Sequence, residues 1–156
     1  VRFNENEIRV MGRTASGVKG IDMENSVVIG AEIVHPEQYV LIVTEKGYGK
    51  QTLVDEYRLT HRGSKGVKGL NMTDKNGSII SLKTIDNLND NDLMIITNSG
   101  TIIRMPLNQI SILKRATQGV RLINLRDDQT VATIALVTKD DSEDNKIEEV
   151  EKEITE

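Results

Sequence analysis

The sequence predicts an all-β fold made of about three similar units, and two observations lead to this prediction. Val and Ile account for 32 of the 156 residues, against 12 Leu and 4 aromatic residues. Side chains branched at Cβ favour pleated sheet over helix. In addition, one sequence signature occurs three times, at spacings of 49 and 53 residues. We therefore expect short antiparallel strands that recur once per unit.

The recurring signature is an apolar residue, an arginine five positions later and a glycine four positions after the arginine. Its copies lie within residues 6–21, 55–70 and 108–123. The three glycines, Gly17, Gly66 and Gly119, are expected at a backbone position that has no room for a Cβ atom. Such a position has either a positive φ or a close approach between neighbouring units.

The predicted strands follow from short β-branched runs between the signatures. One run follows each signature, at residues 27–34, 78–85 and 130–137. Two hairpins are predicted, at residues 39–52 and 92–105, and each contains a turn that ends in glycine. A unit of about 50 residues with four strands is the sequence form of a propeller blade. Residues 2–3 align with residues 104–105, so we expect a partial domain that begins inside a hairpin.

Charge divides the chain into two regions. The net charge is −4, but residues 139–156 contribute −6 and the remainder contributes +2. We predict blades over residues 1–138 and a disordered acidic tail over residues 139–156. The chain contains no Cys and its N-terminus lacks an apolar signal region, which indicates a cytoplasmic location.

Basic residues recur at fixed places in the signatures. Strand alternation directs Lys19, Lys68 and Arg121 towards solvent, which predicts a row of positive charge that attracts phosphate. The signature arginines have two open interpretations: they hold neighbouring blades together by donating to carbonyls, or they contact DNA. The full candidate DNA-binding set is Arg13, Lys19, Lys50, Arg62, Lys65, Lys68, Arg104, Arg115 and Arg121.

The sequence offers little for catalysis. His35 and His61 are 26 residues apart and lack a paired carboxylate or a metal-ligand spacing. Residues 86–92 are rich in Asp and Asn but lack the central Gly and final Glu of a calcium loop, so we expect a loop between strands. We predict no catalytic residue and no metal site.

With its repeats aligned, the chain resembles the C-terminal domain of bacterial DNA gyrase A. The resemblance covers residues 1 to 138 and depends on residues 11–21, 47–52 and 115–123. It implies a six-bladed β-pinwheel, a propeller variant with strand exchange, of which this chain holds roughly the last three blades. It also implies a basic rim that wraps duplex DNA.

The same resemblance implies the wider activity and its partners. The expected function is sequence-independent DNA wrapping in support of ATP-dependent negative supercoiling, within an A2B2 complex of gyrase A and gyrase B. ATP and Mg²⁺ then belong to other parts of that complex. Residues 60–66 only partly match the wrapping box of the family's first blade, so the box's function is not assigned to them. The alternatives are the C-terminal domain of topoisomerase IV and a propeller scaffold that binds protein.

Overall fold

The computed structural model describes residues 1–126 and 128–139, and within these ranges it contains seven strands and no α-helix. The strands are β1 (Tyr39–Thr44), β2 (Tyr48–Leu53), β3 (Ile79–Ile85), β4 (Asn91–Thr97), β5 (Ile102–Pro106), β6 (Val120–Arg121) and β7 (Val131–Thr138). All strand pairs are antiparallel. The all-β prediction is confirmed. No helix in the described ranges is long and apolar enough to cross a membrane.

The strands form two sheets, each built around one of the predicted hairpins. The first sheet has the order β3-β1-β2-β6 and the second has the order β5-β4-β7. The hairpin turns contain Gly47 (φ 76°) and Gly100 (φ 80°), in the left-handed conformation that the sequence predicted. In the first sheet β3, which follows the second signature, pairs with β1. In the second sheet β7, which follows the third signature, pairs with β4.

The two residues of strand β6 belong to the third signature, yet they pair with β2 in the sheet of the preceding unit. Gly49 pairs with Val120 and Tyr48 pairs with Arg121. Gly119, just before β6, has φ 76°, and a Cβ at this position would lie 2.9 Å from the carbonyl oxygen of Gly49. Both expected reasons for the signature glycine therefore hold at this position, and the exchange of strands between units matches the predicted pinwheel.

The core lies between the two sheets. Its buried residues are Leu41, Val43, Ile85, Leu93, Ile95, Leu107, Ile110, Ile123, Val131 and Ile134. Most of them are β-branched or leucine side chains on strands, and each one fully buried contributes about 1.5–3 kcal/mol relative to exposure. The packing of one sheet against the next is how a propeller module buries its apolar faces.

The repeat extends to a short 3-10 turn just before the apolar residue of each signature. They span Glu5–Glu7, Val54–Glu56 and Leu107–Gln109, and their first residues are again 49 and 53 residues apart. Isolated parallel bridges between Arg2 and Leu59 and between Gln51 and Ile112 also recur at these spacings. Successive units are thus related by the same contacts.

The first unit differs from the prediction of three four-stranded blades. Residues 27–34 form no strand, and Val27 and Ile33 are 81% and 74% exposed. Their counterparts β3 and β7 pair with the first strand of a hairpin, and the described chain holds no such strand ahead of residues 27–34. The other two units give one four-stranded and one three-stranded sheet.

Candidate nucleic-acid interface

The predicted row of cations lies at the surface. Lys19, Lys68 and Arg121 are all exposed, as expected, although only Arg121 lies on a strand. Their positions repeat at the spacings of the signature, and the contacts that join successive units repeat as well. We call Lys19, Lys68 and Arg121 the cation row.

The three members of the cation row differ in how much charge is already neutralised. Lys19 forms an ion pair with Asp22, and the hydrogen bond from Lys19 lowers the pKa of that carboxyl below its usual value. Lys68 has no ion pair within residues 1–126 and 128–139. Arg121 donates to the Tyr48 hydroxyl at 2.9 Å and to the Asn124 amide oxygen at 3.2 Å, which leaves its charge uncompensated.

Two signature arginines are used inside the chain. Arg62 Nη1 donates to the carbonyl oxygen of Lys19 at 2.5 Å, and Arg115 Nη1 donates to the carbonyl oxygen of Lys68. Each arginine thus holds the backbone of a cation-row residue that belongs to the preceding signature. This geometry supports the first of the two interpretations left open by the sequence. Arg13 is exposed and makes no such contact within the described ranges.

Lys50 does not lie where the sequence placed it. Its side chain has no accessible surface, and its ammonium donates to the carbonyl oxygens of Lys114 (2.8 Å) and Arg115 (2.5 Å) and to the Thr117 hydroxyl (3.2 Å). Lys50 joins β2 to the third signature and cannot reach a DNA phosphate in this position. We therefore leave it out of the interface.

The two residues after Lys50 make the same kind of contact. Gln51 Nε2 donates to the carbonyl oxygen of Leu107 at 2.7 Å, and Thr52 Oγ1 donates to that of Leu113 at 2.8 Å. Like Lys50, both residues are fully buried. Three consecutive polar side chains of β2 therefore bind main-chain carbonyls of the next unit, where each donor replaces its lost contact with water.

Burial gives Lys50 a testable pH dependence. Removal from water, helped by the positive charge of Arg115 and opposed by Glu56, lowers its pKa from 10.5 to about 8. Between these two values the unfolded chain binds more protons than the folded chain, so the free energy of unfolding rises with pH. Below about pH 8 Lys50 is protonated in both the folded and the unfolded chain, so it adds no pH dependence to the free energy of unfolding.

We expect urea titrations to show this effect as a difference between the native chain and the Lys50→Met variant. Relative to that of the variant, the free energy of unfolding of the native chain should rise by about 1–2 kcal/mol between pH 7 and 9.5. Other titrating groups are common to both proteins and cancel. A difference that stays constant over this range would show that the pKa of Lys50 is not lowered.

Two further candidates are already paired with acids. Lys65 Nζ lies 2.6 Å from Glu24 Oε1, although both side chains are largely exposed. Arg104 Nε lies 2.7 Å from Oδ2 of the buried Asp92. Exposed pairs of this kind contribute about 0–1 kcal/mol and can be exchanged for a phosphate, whereas a pair with a buried carboxylate is held more firmly.

A cationic cluster that the sequence did not reveal surrounds Tyr48. The guanidinium of Arg121 lies 5.4 Å from the centre of the Tyr48 ring, and Lys75 Nζ lies 5.9 Å from it. Neither Tyr48 nor Lys75 belongs to the repeated signature. The two cations come from different units, so sequence spacing gave no signal that they meet.

Some predictions fall on residues for which little or nothing is described. Of the predicted acidic tail, Lys139 is described and residues 140–156 lie outside the described residues. The backbone N–H of Lys139 donates to the carbonyl oxygen of Asp90 at 3.1 Å. His35 and His61 are exposed and lie outside the strands.

Fold and surface together define an antiparallel repeat protein of the β-propeller class, with strands exchanged between units and a cation in every signature. A model of the family described as DNA gyrase C-terminal domain, beta-propeller, matches residues 1–35, 38–86 and 91–138. The three matched segments correspond to the three repeats. The chain belongs to this family, and the resemblance stated from the signatures is confirmed.

Individual relatives agree with the family assignment. The DNA gyrase A protein of Staphylococcus aureus strain MRSA252 is 47% identical over 152 residues, which are 96% of this chain and 17% of that protein. The same protein from strain NCTC 8325 is 49% identical over 147 residues, 92% of this chain and 16% of that protein. The chain therefore spans about one-sixth of the length of these relatives.

Solved structures support the fold. The DNA gyrase A C-terminal domain aligns with a TM-score of 0.71 at 21% identity, over 86% of this chain and 45% of that one. The C-terminal domain of DNA topoisomerase IV aligns with a TM-score of 0.77, also at 21% identity, over 87% and 42% of the two chains. At this identity both show the fold alone. The relatives that are close in sequence favour gyrase over topoisomerase IV.

Proposed function

We propose that this chain binds duplex DNA through its phosphates and bends it without reading base sequence. The observation that carries the proposal is the cation row, which places one exposed cation in each of three units joined by repeated contacts. Phosphate contacts of this kind release counterions and do not depend on the bases. Lys19, Lys68 and Arg121 are the central residues, with Lys65, Arg104 and Arg13 as further candidates.

Repetition of the cations supports bending. Curving a 20–30 bp duplex costs on the order of 1–6 kcal/mol, which one exposed contact does not offset. Several cations held at regular intervals offset this cost together, provided that their spacing is fixed. Arg62 and Arg115 fix it, because each binds the main chain of the preceding cation-row residue.

The wider activity is proposed for the whole protein of which the relatives are examples. As part of a DNA gyrase A protein, the chain would present curved DNA to a gate formed elsewhere and so support ATP-dependent negative supercoiling in the cytoplasm. Gyrase B and a second copy of gyrase A would be its partners, in an A2B2 assembly. Residues 1–126 and 128–139 hold no group of three or more potential metal ligands among His, Cys, Asp and Glu. ATP and Mg²⁺ would act in other parts of that complex.

A salt titration with two duplexes tests this proposal. Affinity for two unrelated sequences of equal length is measured between about 50 and 200 mM salt, and the distance between labelled duplex ends is followed by energy transfer. We expect equal affinities, a linear fall of log affinity with log salt, and closer ends in the complex. Binding that is insensitive to salt, or no binding to DNA, would instead favour the protein-binding scaffold.

A further inference from the structure

Two cations from different units converge on one tyrosine in the middle of the chain. Tyr48 lies on β2 and pairs directly with Arg121 on β6. Arg121 donates to the Tyr48 hydroxyl through Nη2 at 2.9 Å and through Nε at 3.3 Å. Lys75 Nζ reaches the same ring from the loop between the second signature and β3. The strand pairing and the hydrogen bonds fix the position of one cation relative to the ring.

The loop that carries Lys75 is fixed by its neighbour. Asn76 is 1% exposed, and its amide nitrogen donates to the carbonyl oxygens of Asn71 and Gln118, both at 3.0 Å. Its amide oxygen accepts from the backbone N–H of Thr73 at 2.7 Å. Gln118 directly precedes Gly119 and β6. The buried amide thus ties the Lys75 loop to the segment that carries Arg121.

Neither cation is neutralised by the described part of the chain. Within residues 1–126 and 128–139, neither Lys75 nor Arg121 has a carboxylate within ion-pair distance. The Tyr48 hydroxyl accepts twice from Arg121 and donates to no protein acceptor there. Tyr48 itself is only 8% exposed, whereas Lys75 and Arg121 are exposed. Two cations beside a hydroxyl proton that has no acceptor in the described chain match the oxygens of a phosphodiester, which accept hydrogen bonds and carry negative charge.

The following unit lacks this arrangement. At the positions equivalent to Tyr48 and Lys75, the following unit has Thr101 and Asp128. A threonine has no ring on which a cation can lie, and an aspartate repels phosphate. The middle unit therefore differs in kind from its neighbour, although both follow the same repeat.

We propose that Lys75, Arg121 and the Tyr48 hydroxyl form a two-cation site that holds a single backbone phosphate of duplex DNA. The site adds Lys75, which lies outside the cation row, to the binding residues. It makes the middle unit the point at which the duplex is held most firmly. This inference depends on the proposed function, because its ligand is the DNA that the cation row binds.

The test is a double-mutant cycle read by salt dependence. The variants are Lys75→Ala, Arg121→Ala and their combination, with Lys83→Ala as a matched control because Lys83, on β3, is paired with Glu32. If both cations hold one phosphate, the double variant loses about 0.9 from the slope of log affinity against log salt. Two separate phosphates would give about twice that loss. We expect about a 10-fold weaker affinity for the double variant and no change for the control.

Two outcomes overturn the inference and are distinct from failure of the proposed function. In the first, Lys75→Ala has no effect on affinity or slope, either alone or combined with Arg121→Ala, while Lys68→Glu still weakens binding. In the second, the slope losses of the two single variants add up in the double variant. If the native chain does not bind DNA at all, the proposed function itself fails. Lys75 is exposed, so urea midpoints should confirm that its variant folds normally.

Discussion

Replacing Gly119 with alanine is expected to destabilise the packing of the last two units by about 2–5 kcal/mol. The residue has φ 76°, and an added Cβ would lie 2.9 Å from the carbonyl oxygen of Gly49 and 3.2 Å from its carbonyl carbon. The obstructing atoms are main chain in the middle of a sheet, so they cannot move aside as a flexible side chain does. Pairing of β6 with β2 should be lost first.

Urea denaturation gives the free energy of unfolding for this variant, and amide exchange at Leu122 reports on β6 directly. The Leu122 N–H donates to the carbonyl oxygen of Gly47 at 2.8 Å, so its protection should fall sharply. Gly17→Ala is the matched control. Gly17 has φ 80° but no atom within 4 Å of the added Cβ, so only the backbone strain of about 1–2 kcal/mol remains. Equal losses for the two variants would show that contact between units is not what requires the glycine.

Reversing the charge of the whole cation row is expected to abolish most DNA binding. In a variant with Lys19→Glu, Lys68→Glu and Arg121→Glu, three phosphate contacts are lost and three repulsions are added. The slope of log affinity against log salt should fall by about three, and affinity at moderate salt by at least about 100-fold. The loss should be the same for unrelated duplex sequences, because phosphates carry no sequence information.

A control with the same change in net charge separates contact from general repulsion. Arg9→Glu, Arg58→Glu and Lys83→Glu together also shift the charge by six units but lie outside the cation row. Long-range repulsion alone predicts similar losses for both variants, and it weakens as salt screens it. We expect the control to keep most of the salt slope. Similar slopes in the two variants would remove the cation row from the interface.

The hairpins could be predicted from sequence because the residues that determine each one are close together in the chain. Short runs of residues that favour strands and a turn glycine define the two hairpins, and β1, β2, β4 and β5 agree closely with the predicted positions. Residues 27–34 have the same β-branched composition, yet they form no strand. Strand formation requires a partner as well as propensity, and a single run of sequence does not show whether that partner is present.

The candidate site was predicted less completely because burial of polar residues depends on the neighbouring unit. Lys50 was expected at the surface as a charged residue on a strand. Instead, carbonyl oxygens of the third signature accept its hydrogen bonds, and these acceptors are more than 60 residues away in sequence. Lys75 was missed for the same reason, since it meets Tyr48 and Arg121 only after β6 has crossed into the preceding sheet.

The contact between each signature arginine and the unit before it has an evolutionary consequence. Arg62 and Arg115 bind a main-chain carbonyl, a group that all twenty amino acids possess. The side chain of the residue that supplies this carbonyl can change while the hydrogen bond between the two units is kept. The packing of the units and the chemistry of their surface can therefore vary independently. Mutation can change the affinity of each unit for its ligand while the fold is retained.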